Sequence, residues 1–117
     1  MKSLRGKEMK MFKYALTIVA LVSVLSITSY SEAKTGKDIF LNNKCNMCHS
    51  INSLKIESKM PNKYPDLSEV GKQELKSADL KSFLMKEGDL NGKKHAIKFK
   101  GDAAELDTLV NWLQTLK

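Results

Sequence analysis

The sequence predicts an all-α fold for one small domain that follows an N-terminal export segment. Three observations carry this prediction. Apolar residues recur at helical spacing in three segments of the chain, no stretch alternates in polarity for long enough to indicate a strand, and two prolines interrupt a polar stretch between the first two helical segments. A length of 117 residues leaves room for a single domain.

Residues 1–33 have the pattern of a signal peptide. Five basic residues precede an apolar run that begins at Tyr14, and Ser31-Glu32-Ala33 is a small-x-small cleavage signal. The alternative is an uncleaved membrane anchor, because the 17 uncharged residues from Tyr14 onwards approach the length of a spanning helix. In both cases residues 34–117 are exported, so we expect a periplasmic or otherwise exported protein that contacts the membrane only if the segment stays attached.

The first helix of the mature part is predicted from about Asp38 to Asn43, with Thr35 as its cap. The polar residues 50–67, which contain both prolines, are predicted to form a loop. A short helical turn is expected at residues 67–70.

A second helix is predicted from Ser77 or Ala78 to about Lys86, with Ser77 as its cap and Gly88 as its stop. The last helix starts near Asp102 and reaches the C-terminus. The apolar positions that define these two helices are Leu80, Phe83 and Leu84 in the former, and Leu106, Leu109, Val110, Leu113 and Leu116 in the latter, with Trp112 beside them.

Both cysteines of the chain lie in one C-x-x-C-H motif, Cys45-Asn46-Met47-Cys48-His49. Two thiols at this spacing can each add to a vinyl group of the same porphyrin, and the adjacent histidine can then bind the iron. The motif therefore predicts one covalently bound haem c, held by Cys45 and Cys48, with His49 as the proximal iron ligand. A large apolar cofactor also suits a mature domain of 84 residues, which buries little apolar surface by itself.

Two other uses of the cysteine pair have to be weighed. A structural zinc site needs four protein ligands, which Cys45, Cys48, His49 and His95 could supply. A thioredoxin-like redox site would need an alternating α/β pattern around the motif, and the sequence has none. Export favours haem over both, because haem is attached to c-type cytochromes outside the cytoplasm.

The mature chain resembles a single-haem class I cytochrome c. Residues 36–49 look like the first helix and attachment motif of that family, residues 64–71 resemble its G-P-x-L-x-G-V segment, and residues 109–117 look like its C-terminal helix. The resemblance implies a cytochrome c-like fold, in which the N- and C-terminal helices cross and a central helix completes the surround of a covalent haem. It also implies that the Pro65 carbonyl accepts the N–H of His49. Tyr64 and Glu69 stand where the family commonly has glycine.

The sixth iron ligand is where the sequence departs from the family. The family usually has a methionine in a loop before the last helix, and here His95 stands in that place, 17 residues before Trp112. We therefore expect His95 to be the distal ligand. Met85 is the alternative distal ligand, and Met60, next to Pro61, is a further one.

These features predict an electron-transfer protein without enzymatic activity, because two axial ligands leave no open position on the iron. The alternative is a ligand-binding or sensing haem protein, or a small haem subunit of an oxidoreductase complex, with a vacant or weakly held sixth position. The mature part has 15 lysines, no arginine and 11 acidic residues, a net charge of +4. This charge describes either a solvated surface or a patch that steers an acidic redox partner. We expect a monomer with redox protein partners and no binding of nucleic acid.

Overall fold

The computed structural model describes residues 32–117, and every structural statement below concerns that range. Its three α-helices and three 3₁₀ turns are, in chain order, α1 (Gly36–Asn42), the turns Cys45–Met47, Asn52–Leu54 and Val70–Gln73, α2 (Ser77–Leu84) and α3 (Ala103–Gln114). The described range contains isolated β-bridges, Ile51 with Ile56 and Leu90 with Lys93, and no strand. The predicted all-α fold is confirmed.

The prediction of a signal peptide or anchor over residues 1–33 falls, apart from its last two residues, outside the described range. Residues 33–117 form one compact unit. No helix between residues 32 and 117 is both long enough and apolar enough to cross a bilayer.

Helix α1 begins at a complete capping box. The Thr35 hydroxyl accepts the backbone N–H of Asp38 at 3.2 Å, and the Asp38 carboxylate accepts the backbone N–H of Thr35 at 3.0 Å. These reciprocal bonds satisfy N–H groups that the first turn of a helix leaves free. Thr35 is therefore the cap that the sequence predicts, and the helix starts about two residues earlier than expected.

The N- and C-terminal helices pack against each other more extensively than any other two elements. The rings of Phe40 and Trp112 are inclined at 56° with their centroids 5.8 Å apart. Gly36 lets the backbones approach this closely, since a Cβ on it would lie 2.1 Å from the Cβ of Trp112. The predicted pairing of the terminal helices is thus confirmed, and Gly36, Phe40 and Trp112 are part of it.

Helix α2 differs from its prediction at both ends. Its N-cap is Lys76 and not Ser77, because the Ser77 hydroxyl donates to the side-chain oxygen of Gln114 on α3 at 3.2 Å. The helix ends at Leu84 and not near Lys86, because Lys86 adopts a left-handed conformation with φ 58°. The predicted stop at Gly88 lies beyond this end.

Helix α3 starts after Asp102, whose carboxylate accepts the backbone N–H of Glu105 at 2.8 Å, and it ends at Gln114, three residues short of the C-terminus. Its predicted apolar face is buried. The core of the domain consists of side chains from all three helices and the loops between them, namely Ile39, Phe40, Ile51, Ile56, Leu80, Phe99, Leu106, Leu109, Val110, Leu113 and Leu116.

Candidate functional site

Both cysteines lie on one tight turn directly after α1. Lys44 adopts a left-handed conformation with φ 56°, which ends the helix and starts the 3₁₀ turn Cys45–Met47. The Cys45 carbonyl accepts the backbone N–H of Cys48 at 3.2 Å and that of His49 at 2.9 Å. The turn therefore holds two free thiols and an imidazole in one short, hydrogen-bonded segment.

The Cys45 thiol is kept protonated by its surroundings. Burial raises its pKa to about 11, with a smaller upward contribution from Cys48. Reactive redox pairs of cysteines have a lowered pKa, which makes the thiolate available near neutral pH. A thioredoxin-like use of the pair is therefore disfavoured on physical grounds as well as on the sequence pattern.

The imidazole of His49 has one nitrogen engaged and one available. Nδ1 lies 2.9 Å from the carbonyl oxygen of Pro65, and because a carbonyl can only accept, Nδ1 carries the proton. Nε2 then carries a free lone pair, with which it can bind a metal. Burial lowers the pKa of His49, against the Pro65 carbonyl, which raises it, so the neutral ligating form is favoured. The Pro65 carbonyl is the partner that the family resemblance implies for this ring.

The segment around Pro65 is held by the carboxylate of Asp66. It accepts the hydroxyl of Ser50 at 2.7 Å and the backbone N–H groups of Asn52 at 3.0 Å and Ser68 at 2.9 Å. These bonds tie the residue after His49 to the residue after Pro65. They also lower the pKa of Asp66 to about 2, although burial acts in the opposite direction.

His95 lies in the loop of residues 86–101, which we call the distal loop. The loop is attached to the end of α2 at both of its ends, because Lys86 donates its backbone N–H to Phe83 at 3.1 Å and Phe99 donates its backbone N–H to Leu84 at 2.9 Å. The His95 ring is half-buried, and its Nδ1 donates to the Ile97 carbonyl within the loop. His95 therefore has the same arrangement as His49, with Nδ1 bonded to a carbonyl and Nε2 available.

The structure brings the two imidazoles to face each other. The ring centroids of His49 and His95 are 6.3 Å apart, and the planes of the rings differ by 11°. This distance is too long for direct stacking of two small rings. A metal ion bound by both rings, with metal–nitrogen bonds of about 2 Å, would separate their centroids by about 6 Å.

The two methionines considered as distal ligands have different surroundings. Met85 is the C-cap of α2, is half-buried and packs against the hydrophobic core. Met60 is 40% exposed and stands in the turn before Pro61. The His49 ring contacts two other rings in the described part of the chain. One is that of Tyr64, and the other, on the side of the distal loop, is that of His95.

Two aromatic side chains at the site were not identified from the sequence as part of it. Phe83 makes an edge-on contact with His95, and Tyr64 lies against His49. The sequence pattern indicates Phe83 as one of the apolar positions of a helix, and Tyr64 as a residue in place of the glycine that the family commonly has. No pattern in one sequence signals a contact between side chains from distant segments.

The four-ligand zinc site that was weighed as an alternative is not assembled in the described part of the chain. Within residues 32–117 no group of three or more histidine, cysteine, aspartate or glutamate side chains is arranged to hold a metal ion. The arrangement that is present has two cysteines on one turn and two parallel imidazoles.

A family model described as Cytochrome c matches residues 33–117 of the chain. The matched range includes all three helices, the turn with both cysteines and the distal loop. No curated protein and no solved structure matches the chain.

Proposed function

The chain belongs to the cytochrome c family, a family of haem-based electron-transfer proteins with covalently bound haem c, and we propose that it carries single electrons on one such haem, with His49 and His95 as the axial ligands. The observation that carries this proposal is the pair of near-parallel imidazoles 6.3 Å apart, each with its Nδ1 bonded to a carbonyl. A single attachment motif and only two cysteines support one haem.

The residues present fit such a group by the chemistry of their donors. Cys45 and Cys48 are free thiols on one turn and would hold the porphyrin covalently. When bound, the haem supplies an iron that accepts and releases one electron. His49 and His95 would hold the iron through Nε2, while the Pro65 and Ile97 carbonyls fix the tautomer and direction of the two rings.

Two imidazoles also account for the function. If His49 and His95 both hold the iron, no coordination position would remain for a substrate, and the bound haem would supply electron exchange with other proteins. Histidine opposite histidine gives a lower reduction potential than methionine opposite histidine, so this cytochrome should be a comparatively strong reductant in its family.

The distal ligand can be tested by spectroscopy of the purified haem-loaded protein. We expect the oxidised wild type to lack the far-red band of a thioether–iron bond and the His95→Ala variant to lose the low-spin spectrum. Met85→Leu is the matched control and should leave the spectrum unchanged. A far-red band in the wild type that survives in His95→Ala and disappears in Met85→Leu would contradict the proposal.

Binding of carbon monoxide to the reduced protein distinguishes electron transfer from ligand binding. We expect the wild type to resist carbon monoxide and His95→Ala to bind it rapidly, because the substitution opens the sixth position. Rapid and complete binding by the wild type would favour the alternative, a sensing or ligand-binding haem protein or a haem subunit of an oxidoreductase.

The positive charge of the mature part supports an acidic redox protein as the partner. The distal loop contributes the exposed lysines Lys93, Lys94, Lys98 and Lys100. The rate of electron exchange with an acidic partner should fall as salt is added. Replacing Lys93 and Lys94 with Gln should lower this rate more than the same change at Lys37 and Lys117. Equal rates for the two double variants would contradict this role of the loop.

Export, cleavage after Ala33 and a monomeric state complete the proposal. The Ser31-Glu32-Ala33 signal and the covalent haem support secretion before haem attachment. Mass spectrometry of the exported protein tests it, with one mature N-terminus at Lys34 and one haem per chain as the expected result.

A further inference from the structure

We propose that Phe83 and Tyr64 are positioning residues that fix the planes of the two imidazoles and thereby the near-parallel angle between them. This inference rests on the proposed axial ligation by His49 and His95. Ligation alone does not determine the plane of an imidazole, because the ring can rotate about its bond to a metal. The inference identifies the side chains that hold each ring in one plane.

The contact of Phe83 with His95 is edge-on. The ring centroids are 5.1 Å apart and the planes are inclined at 67°, which is the favourable T-shaped geometry for two aromatic rings. Phe83 lies in the last turn of α2, so its backbone is fixed by the helix. A rotation of the His95 ring would therefore meet a side chain whose backbone is held in place.

Phe83 also differs from the other apolar residues of α2. Leu80 is buried in the core and Leu84 packs against it, whereas Phe83 is half-buried and belongs neither to the core nor to the side chains packed on it. Its described ring contact is with His95. An aromatic side chain kept outside the core at this position is explained by the imidazole that it contacts.

His95 is then restrained at two separate points. The Ile97 carbonyl holds Nδ1 on one edge of the ring, and Phe83 packs against the ring itself. Either contact alone permits some rotation, because a hydrogen bond has a broad angular range and an aromatic contact can slide. Together they define one ring plane.

His49 has an equivalent pair of contacts. The Pro65 carbonyl accepts a hydrogen bond from Nδ1, and the ring of Tyr64 lies at a centroid distance of 5.9 Å and an inclination of 58°. The ammonium of Lys63 stands 5.8 Å from the centre of the Tyr64 ring, where a cation–π attraction helps to hold that ring.

The angle between the two rings can be measured directly in the oxidised protein. The orientation of axial imidazoles sets the energies of the iron orbitals with which they overlap, and the electron paramagnetic resonance g-values report those energies. With planes only 11° apart, the wild type should give one rhombic set of three g-values. The experiment is low-temperature resonance on the haem-loaded full protein.

Phe83→Leu should shift this set of g-values or split it into more than one, with iron still six-coordinate. Phe83→Tyr should retain the wild-type set, because it keeps the ring. The matched control is Phe40→Leu, the same substitution at a core residue that packs against Trp112. It should lower stability without changing the g-values, which separates ring positioning from a general loss of packing.

Tyr64→Leu should shift the g-values less than Phe83→Leu, because covalent attachment at the neighbouring Cys48 also restrains His49. Unchanged g-values in both Phe83→Leu and Tyr64→Leu, with His95→Ala altering the spectrum, would overturn this inference and leave the axial ligation intact. A His95→Ala spectrum identical to that of the wild type would overturn the proposed ligation first.

Discussion

The two sides of the candidate haem site are built in different ways. The attachment segment, residues 45–73, is crossed by hydrogen bonds between its beginning and its end, such as Leu67 N–H to the Ser50 carbonyl at 2.9 Å and Lys59 N–H to the Asn46 carbonyl at 3.1 Å. The distal loop is tied to α2 at its ends and has a turn, Leu90 to Lys93, between them.

The two imidazoles should therefore differ in how firmly the surrounding chain holds them. His49 lies in a segment whose geometry is fixed by many backbone and carboxylate contacts, so single substitutions there should affect the whole fold. His95 lies in a loop with few internal contacts, so substitutions there should open the site locally and leave global stability nearly unchanged. The predictions below compare matched changes on the two sides.

The largest contrast is expected for two glycines. A Cβ at Gly71 would lie 2.3 Å from the Gln114 carbonyl oxygen and 2.7 Å from that of Leu116, both of them backbone atoms. Gly71→Ala should therefore lower the free energy of unfolding by about 3 kcal/mol. Gly92 has φ 74° and no atom within 4 Å of an added Cβ, so Gly92→Ala should cost about 1 kcal/mol of backbone strain.

Denaturant unfolding of the haem-loaded variants measures both effects. Equal losses for Gly71→Ala and Gly92→Ala would contradict the idea that the attachment segment is the more constrained side.

The next contrast is between two carboxylates. Asp66 accepts three hydrogen bonds in the attachment segment, and Asp66→Asn weakens them by removing the charge. Because the side chain is exposed and water screens it, we expect a loss of about 1 to 2 kcal/mol in the free energy of unfolding. Asp89→Asn, an exposed carboxylate of the distal loop, is the control and should change stability by less than about 0.5 kcal/mol.

The contribution of Asp66 should also depend on pH in a defined direction. Its pKa in the folded protein is about 2, below the 3.8 of an unperturbed aspartate. The stabilisation is therefore complete above the unfolded pKa and is lost as the pH falls through the folded value. The difference in unfolding free energy between wild type and Asp66→Asn should shrink between pH 4 and pH 2, since the subtraction cancels groups common to both proteins. A difference that stays constant over this range would be inconsistent with Asp66 as the titrating group.

The elements that the sequence predicts well are those determined by local chemistry. Thr35 and Asp102 cap their helices through bonds to residues three positions ahead, and the apolar face of α3 repeats at helical spacing. The attachment motif is likewise a local pattern. Such features depend on neighbours in the sequence, so a single sequence contains the information needed to find them.

The features that the sequence does not predict depend on distant partners. Ser77 looks like a helix cap, but its hydroxyl bonds to Gln114, 37 positions away. The left-handed conformations at Lys44, Glu74 and Lys86 occur at residues with no preference for them, so they are imposed by the tertiary structure. The contacts of Phe83 and Tyr64 with the imidazoles belong to the same class, because they join segments that a local pattern cannot relate.

The smallest effect on stability is expected at the start of the distal loop. There the Lys86 ammonium donates a hydrogen bond to the Ala96 carbonyl at 3.3 Å. This bond crosses the loop next to His95 and is exposed to solvent. Lys86→Gln should change the free energy of unfolding by less than about 0.5 kcal/mol. It should nevertheless speed hydrogen exchange at the Phe99 amide, which closes the loop on Leu84, because one of the contacts that hold the loop is weakened.

Exchange at the Leu67 amide, which is bonded to Ser50 in the attachment segment, is the internal control for Lys86→Gln and should not change. Faster exchange at Phe99 alone would mean that the distal loop opens as a local unit. In Lys86→Gln, such openings would free the sixth position for part of the time, and the reduced protein would then bind carbon monoxide slowly. Faster exchange at both amides would mean that opening of the loop is coupled to unfolding of the whole domain. The two imidazoles would then be held by one cooperative structure, and the contrast between the two sides of the site would not hold.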